Sequence, residues 1–249
     1  MKKAAVIVLS LSLLGCTAEK RALPEEKRSL YTSFMVYDGD GNLVQTGERT
    51  YDDQDRLVSH ILKDQNGKMM SEETYVYNDD GSSKLTARNE QRLIAEQEFD
   101  SDGNMTRYGY QDDDEWVEET FTYEKDNAGR IIRKICSDGS EVEYVYDENG
   151  NRIAVRYYDN GELYSEEKTE YTFDGNGVLQ KTVTREGGGS AEREYNSFGE
   201  VTKETFRDTG YERVVEYTYD DAGNLTSATV YENYPDEIVT KTEYQYEKD

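Results

Sequence analysis

Few side chains in this sequence of 249 residues have the types and the spacing that catalysis requires. His60 is the only histidine, so a Ser-His-Asp or Cys-His arrangement would have to use it as the general base. It lies in the segment 58–61, in the middle of a predicted strand, and no nucleophile motif accompanies it. We therefore expect His60 to be a structural residue at the surface, and we expect the protein not to be an enzyme.

Two acidic segments have the spacing that begins a calcium loop. Residues 38–42 and 100–104 both read Asp-x-Asp-x-Asn, like the first five positions of an EF-hand loop. The sixth position of that loop requires glycine, but Leu43 and Met105 occupy it here. One histidine and no cysteine cluster also cannot make a closed zinc site. We expect no metal site and no cofactor, with weak cation binding at these turns as the alternative.

The charge balance is strongly acidic, with 29 basic and 54 acidic residues and a net charge of -25. Such a surface repels phosphate backbones, so we exclude nucleic acid as a partner. Carboxylate pairs suited to glycoside hydrolysis occur throughout the chain, and no pair is singled out by its context. The acidic run 112–115 is predicted to be a solvated loop. Trp116 is predicted to pack in a strand, although it could stack on a sugar.

Residues 1–15 have the features of a secretory signal peptide. Two lysines precede the apolar run 4–14, which is too short to cross a bilayer as a helix, since that takes about 20 residues. Residues 13–16, Leu-Leu-Gly-Cys, resemble the lipobox of bacterial lipoproteins. The resemblance implies cleavage before Cys16, a diacylglycerol thioether on its sulfur and a further acyl chain such as palmitate. These chains would anchor the protein to a membrane of the bacterial cell envelope, facing the periplasm or the exterior.

The segment 16–29 is charged and contains Pro24, so we predict a flexible tether between the anchored Cys16 and a domain at 30–249. Cys136 would then be the one cysteine left without a lipid, and it has no partner for an intramolecular disulfide. We expect it to be a small buried side chain, with a reactive or intermolecular thiol as the alternative.

One motif recurs along the whole chain: an aromatic residue, Asp, two variable residues, Gly, then Asn or Arg, as in residues 146–151. Asp at the first position of a turn and Gly at the fourth predict a type I turn followed by a left-handed residue, which closes a β-hairpin. A shorter Asn-Gly hairpin signal stands at 160–161. The structural turn glycines predicted in this way are Gly41, Gly67, Gly81, Gly103, Gly129, Gly150, Gly161, Gly177, Gly199 and Gly223.

The segments between the turns alternate with period two, as strands do. Residues 141–146 place Val142, Tyr144 and Tyr146 on one face. The segment 84–99 contains good helix formers, but the repeat period predicts a turn near Asn89 instead. We predict an all-β fold, an antiparallel up-and-down meander of about 18 strands. Because that number exceeds a normal open sheet, we expect it to coil into a single-layer spiral or solenoid-like sheet, with tyrosines and aliphatic residues on the inner face.

The Tyr-Asp-x-x-Gly-Asn core and its spacing resemble the YD repeats of Rhs-type bacterial surface and toxin-shell proteins, and the spacing is also similar to hairpin repeats of the MORN type. The YD resemblance implies long antiparallel sheets made of successive hairpins. This chain is shorter than a closed cocoon requires, and its repeats run almost to Asp249, so we expect no appended toxin.

Three functions remain open from the sequence. The first is a membrane-anchored surface lipoprotein whose repeat domain is a non-catalytic scaffold or binding face. The second is an immunity or toxin-neutralising protein whose acidic surface binds a basic partner. The third is a protein that binds a glycan or acts on one.

Overall fold

The computed structural model describes residues 30–90, 92–112, 115–232 and 237–246, and in these ranges the regular structure is entirely β. The segment 84–99 forms a strand, a turn and a strand, as predicted. The strands are β1 (Tyr31–Asp38), β2 (Leu43–Tyr51), β3 (Leu57–Asp64), β4 (Met69–Tyr77), β5 (Ser83–Arg88), β6 (Leu93–Phe99), β7 (Met105–Asp112), β8 (Glu115–Lys125), β9 (Ile131–Cys136), β10 (Glu141–Tyr146), β11 (Arg152–Asp159), β12 (Glu162–Phe173), β13 (Leu179–Glu186), β14 (Gly189–Tyr195), β15 (Val201–Asp208), β16 (Tyr211–Tyr219), β17 (Leu225–Glu232) and β18 (Glu237–Tyr246).

Each strand pairs antiparallel with the strands before and after it in sequence, so the predicted meander is confirmed. The predicted spiral or solenoid is wrong, because β18 pairs with β1 and closes the sheet into an 18-stranded barrel. The closing ladder runs from Tyr31↔Tyr246 to Asp38↔Thr240. Closure removes both sheet edges, which would otherwise carry unpaired backbone N–H and C=O groups.

Consecutive turns of an up-and-down meander lie at opposite ends of the sheet. The turns that follow the even-numbered strands therefore share one end with the start of β1, and we name it the long-turn end. Each of these turns, as far as the structure describes them, is closed by the same two backbone hydrogen bonds, as in Asp147 N–H to Asn151 O at 2.9 Å and Gly150 N–H to Asp147 O at 3.1 Å. They begin at Asp52, Asn78, Asp100, Asp126, Asp147, Asp174, Asn196 and Asp220.

The two faces of the sheet differ in composition. Residues directly opposite each other in a ladder share a face, and on one face Tyr75, Leu85 and Tyr108 follow from strand to strand through Gln97. We name it the tyrosine face. It holds most of the buried apolar side chains, including Leu62, Leu85, Ala87, Phe121, Val155, Val215 and Ala228. The opposite face, which we name the charged face, carries ion pairs such as Arg156–Glu166, and Ala154 and Val214 are buried on it.

Candidate functional site

Six tyrosines repeat one contact at the long-turn end of the tyrosine face. In each case the strand that carries the tyrosine stops pairing with the preceding strand three residues before the tyrosine. On β4, for example, the last paired residue before Tyr77 is Thr74, which lies opposite Ser59 on β3. The tyrosine hydroxyl then donates to a backbone carbonyl at the start of that strand, which the ladder leaves free. We name this contact the tyrosine clasp. The clasps join Tyr51 to Tyr31, Tyr77 to Leu57, Tyr123 to Met105, Tyr146 to Ile131, Tyr171 to Arg152 and Tyr219 to Val201, at 2.6–2.9 Å.

Arginines from neighbouring turns cover some of the clasp rings. Arg56 pairs with Asp52 at 2.8 Å, and its guanidinium carbon lies 4.2 Å from the centre of the Tyr77 ring. Arg130 lies in the same way over the Tyr146 ring, at 4.8 Å. Burial raises the pKa of Tyr77 and Tyr146, and it raises that of Tyr123 to about 12. The hydroxyls of these three tyrosines therefore stay protonated at neutral pH and act as hydrogen-bond donors.

The ten predicted turn glycines all have positive φ, between +78° and +87°. Asp55 occupies the same turn position with φ of +60°, so its turn takes the left-handed conformation without glycine. The turn carboxylates are occupied by their own turns. The two oxygens of Asp147 accept from the backbone N–H groups of Asn149 and Asn151 and from the Asn151 amide, and the Asn151 side chain is the main cause that lowers the Asp147 pKa.

A polar cluster around the buried His60 spans β2, β3 and β4 on the tyrosine face. Arg49, His60 and Glu73 stand side by side in the two ladders, and Tyr75 is two residues beyond Glu73. His60 Nδ1 lies 3.4 Å from Glu73 Oε2, and the Tyr75 hydroxyl donates to the same oxygen at 3.0 Å. The hydrogen bond with His60 is the main cause that lowers the pKa of Glu73. Burial is the main cause that raises the pKa of Tyr75.

The predicted surface position of His60 is wrong, because only 7% of the residue is exposed. Aromatic rings from the closing strands cover it. The Phe34 ring centre lies 5.8 Å from that of His60 and 6.0 Å from that of Tyr244 on β18. Phe34 reaches His60 across β2 because Gly47 lies between them, where a Cβ atom would overlap the Phe34 ring. The cover depends on pairing between distant segments, which no local sequence signal reports.

The other predicted residues do not join this cluster. Cys136 ends β9 as a half-buried free thiol. Trp116 lies on the charged face, where it packs over Gly109 and donates to Glu118 at 2.9 Å. Cys16 and the predictions for residues 1–29 lie outside the described residues, as do Asp113 and Asp114 of the acidic run.

The charged face is held by arginines that reach both neighbouring strands. Arg156 on β11 bonds Glu143 on β10 at 3.1 Å and Glu166 on β12 at 2.9 Å. Arg107 on β7 contacts Glu98 and Glu118 in the same way. These pairs neutralise basic side chains and leave the excess of carboxylates uncompensated. Among the described residues, no group of three His, Cys, Asp or Glu side chains is arranged to hold a metal ion, and no helix is long and apolar enough to span a membrane.

Together the turns, clasps and ladders define an all-β hairpin-repeat protein built on a Tyr-Asp-x-x-Gly motif. The model of the Teneurin YD-shell family matches residues 22–235. The chain therefore belongs to this family, and the resemblance to YD-type repeats is confirmed. No curated protein matches the sequence significantly.

Three solved structures are similar to this chain over most of its length, each with a TM-score below 0.5. A porin-like protein from Bacteroides uniformis has 13% identity and a TM-score of 0.47, over 89% of this chain and 98% of its own. The Tc holotoxin pore of Photorhabdus luminescens has 11% identity and a TM-score of 0.36, over 81% of this chain and 15% of its own. A porin-like protein from Bacteroides vulgatus has 11% identity and a TM-score of 0.33, over 89% of this chain and all of its own. We draw no conclusion about function from these likenesses.

Proposed function

We propose that the protein is a lipid-anchored, non-catalytic scaffold of the bacterial cell envelope, with its YD-shell domain at 30–249 tethered to the membrane through Cys16. The observation that carries the scaffold role is the tyrosine clasp, which recurs at six positions along the sheet. Its hydroxyls hold neighbouring strands together, and repeated stabilising contacts of this kind are what a scaffold requires. Membership of the YD-shell family supports the same role.

Support for the anchor comes from the sequence alone. Residues 13–16 read Leu-Leu-Gly-Cys after a short apolar run, and the charged segment 16–29 separates Cys16 from the first strand. Two or more acyl chains, at about 0.8 kcal/mol for each buried methylene, hold a protein stably on a bilayer.

The anchor is tested by replacing Cys16→Ala in the full chain and growing the cells with a labelled palmitate analogue. We expect the variant to lose the label, whether or not the leader is still attached, and the cleaved chain to leave the membrane fraction. Cys136→Ala is the matched control, and it should keep both the label and the membrane location. A Cys16→Ala variant that is still labelled would contradict lipidation at this residue.

A second candidate function is the binding of a basic protein, as in an immunity or toxin-neutralising partner. The observation that favours it is the surplus of carboxylates, since the net charge is -25 and Arg107 and Arg156 on the charged face are already paired. A pull-down from the native cell at low and at high salt tests it. A basic partner that is released at high salt would support this function, because salt screens exposed charges. Only salt-resistant partners would contradict it.

A further inference from the structure

Although the barrel is closed, the strand β8 is paired on one side only over half of its length. Its ladder with β7 runs from Glu115 to Thr120, whereas its ladder with β9 covers Phe121 to Lys125. The segment 115–120 is the longest stretch of this kind among the described strands. Of those strands, only β7 and β9 lie close to β8, so no other strand covers the open side.

The contacts of Thr120 show which backbone groups of β8 point to the open side. Its carbonyl accepts from Ser137 N–H at 2.9 Å and its N–H donates to Ser137 Oγ at 3.0 Å, so both groups point towards β9. Backbone groups alternate in direction along a strand, so those of Trp116 and Glu118 point the same way. These groups have no hydrogen-bond partner in the part of the chain that the structure describes. We name the segment 115–119 the β8 edge.

The side chains beside the β8 edge are acidic. Asp112, Glu115 and Glu119 share the tyrosine face, and among the described residues none of the three forms an ion pair. Glu118, on the charged face, is paired with Arg107. A second copy of this chain would bring the same carboxylates to the edge and would be repelled, whereas a strand with basic side chains is attracted.

We propose that the β8 edge binds an extended segment of a basic protein, which joins the sheet as an antiparallel strand in line with β9. The backbone groups of Trp116 and Glu118 bond to every second residue of that segment, and its lysine or arginine side chains lie on the tyrosine face, near Glu115 and Glu119. Strand addition of this kind takes its affinity from the backbone and its specificity from the side chains. The proposal rests on the second candidate function, the binding of a basic protein, and does not depend on the lipid anchor.

Trp116 is part of the β8 edge and is the only tryptophan of the chain, so its fluorescence reports on the site. The full chain, in a non-ionic detergent at low salt, is titrated with the capped peptide Lys-Thr-Lys-Thr-Lys-Thr-Lys, and we expect a saturable change in emission. The matched control is the same peptide N-methylated at each threonine. It keeps the charge but lacks the N–H groups that face β8 in the proposed pairing, so it should bind at least about tenfold more weakly.

Two pairs of substitutions locate the site and keep the tryptophan. Glu115→Gln with Glu119→Gln removes two uncompensated carboxylates beside the edge, and we expect the peptide to bind about fivefold more weakly, as exposed charge pairs imply. Glu124→Gln with Glu148→Gln removes the same charge near the long-turn end. This control should bind the peptide as the unaltered chain does.

The outcomes separate the site from the function on which it rests. If the N-methylated peptide bound equally, or if the Glu115 and Glu119 variant kept its affinity, the β8 edge would not be the site, although the acidic surface could still hold a basic partner elsewhere. An emission that the peptide leaves unchanged would also overturn the site, and the salt-dependent pull-down would then decide the second candidate function by itself. Without peptide, an emission that changes with the concentration of the chain would assign the edge to a second copy instead and overturn the proposal.

Discussion

The turn at 174–177 contains two glycines, Gly175 and Gly177. Substituting each of them distinguishes a turn that needs a left-handed backbone from one that needs space where a Cβ atom would be. Both have open space where a Cβ atom would be added, but only Gly177 has a positive φ, of +78°. An L-residue in that conformation loses roughly 1–2 kcal/mol. An alanine at an ordinary φ is instead neutral or stabilising, because it restricts the unfolded chain.

We therefore expect Gly177→Ala to lower the free energy of unfolding by about 1 kcal/mol. Gly175→Ala in the same turn should leave it unchanged or raise it by up to about 1 kcal/mol. Urea denaturation followed by circular dichroism measures both values. Equal losses in the two variants would mean that the turn does not require a left-handed residue at its fourth position.

The tyrosine clasp also makes a prediction at the scale of a single residue. Tyr77→Phe removes only the hydroxyl that donates to Leu57 O at 2.9 Å, while the ring beneath Arg56 stays in place. We expect the free energy of unfolding to fall by about 0.5–1.5 kcal/mol, the net contribution of one hydrogen bond. Tyr164→Phe is the control, since this exposed hydroxyl makes no hydrogen bond among the described residues. A Tyr164→Phe variant that loses as much stability would argue against the clasp.

At the scale of the strand, β7 and β8 pack closely where the indole of Trp116 lies over Gly109. A Cβ atom on Gly109 would lie 2.9 Å from Cε2 of Trp116, so alanine there must displace the indole. Trp116 is the only tryptophan of the chain and reports on its own position. We expect Gly109→Ala to shift its fluorescence to longer wavelength and to destabilise the protein by about 1–3 kcal/mol. Gly188→Ala, with open space and no positive φ, should leave the emission unchanged.

How far each element could be predicted from the sequence depends on how local its cause is. The turn at 147–150 was predictable because Asp147 bonds the backbone within four residues and Gly150 supplies the positive φ. The clasp of Tyr146 was not, because its acceptor lies 15 residues away on another strand. The burial of His60 was missed for the same reason, since Phe34 and the strand β18 provide its cover only after the sheet closes.

At the scale of the whole molecule, closure depends on the pairing of the first and last strands. A meander of hairpins has the same local contacts whether it is open or closed, so the motif cannot predict which form occurs. The register Phe34↔Tyr244 brings two aromatic side chains together on the tyrosine face, where they also join Tyr31. These ring contacts, together with the ladder itself, favour closure over two free edges.

A designed disulfide distinguishes the closed barrel from an open spiral. Met35 on β1 and Glu243 on β18 are directly opposite each other on the charged face, as a disulfide requires. In a chain with Cys16 and Cys136 replaced by serine, we expect Met35→Cys with Glu243→Cys to form an intramolecular bond, seen as faster migration on a non-reducing gel. Met35→Cys with Glu192→Cys on β14 should form none, because several strands separate the two positions along the closed sheet. If the first pair stayed reduced under oxidising conditions, the strands β1 and β18 would not be neighbours and the barrel would be open in solution.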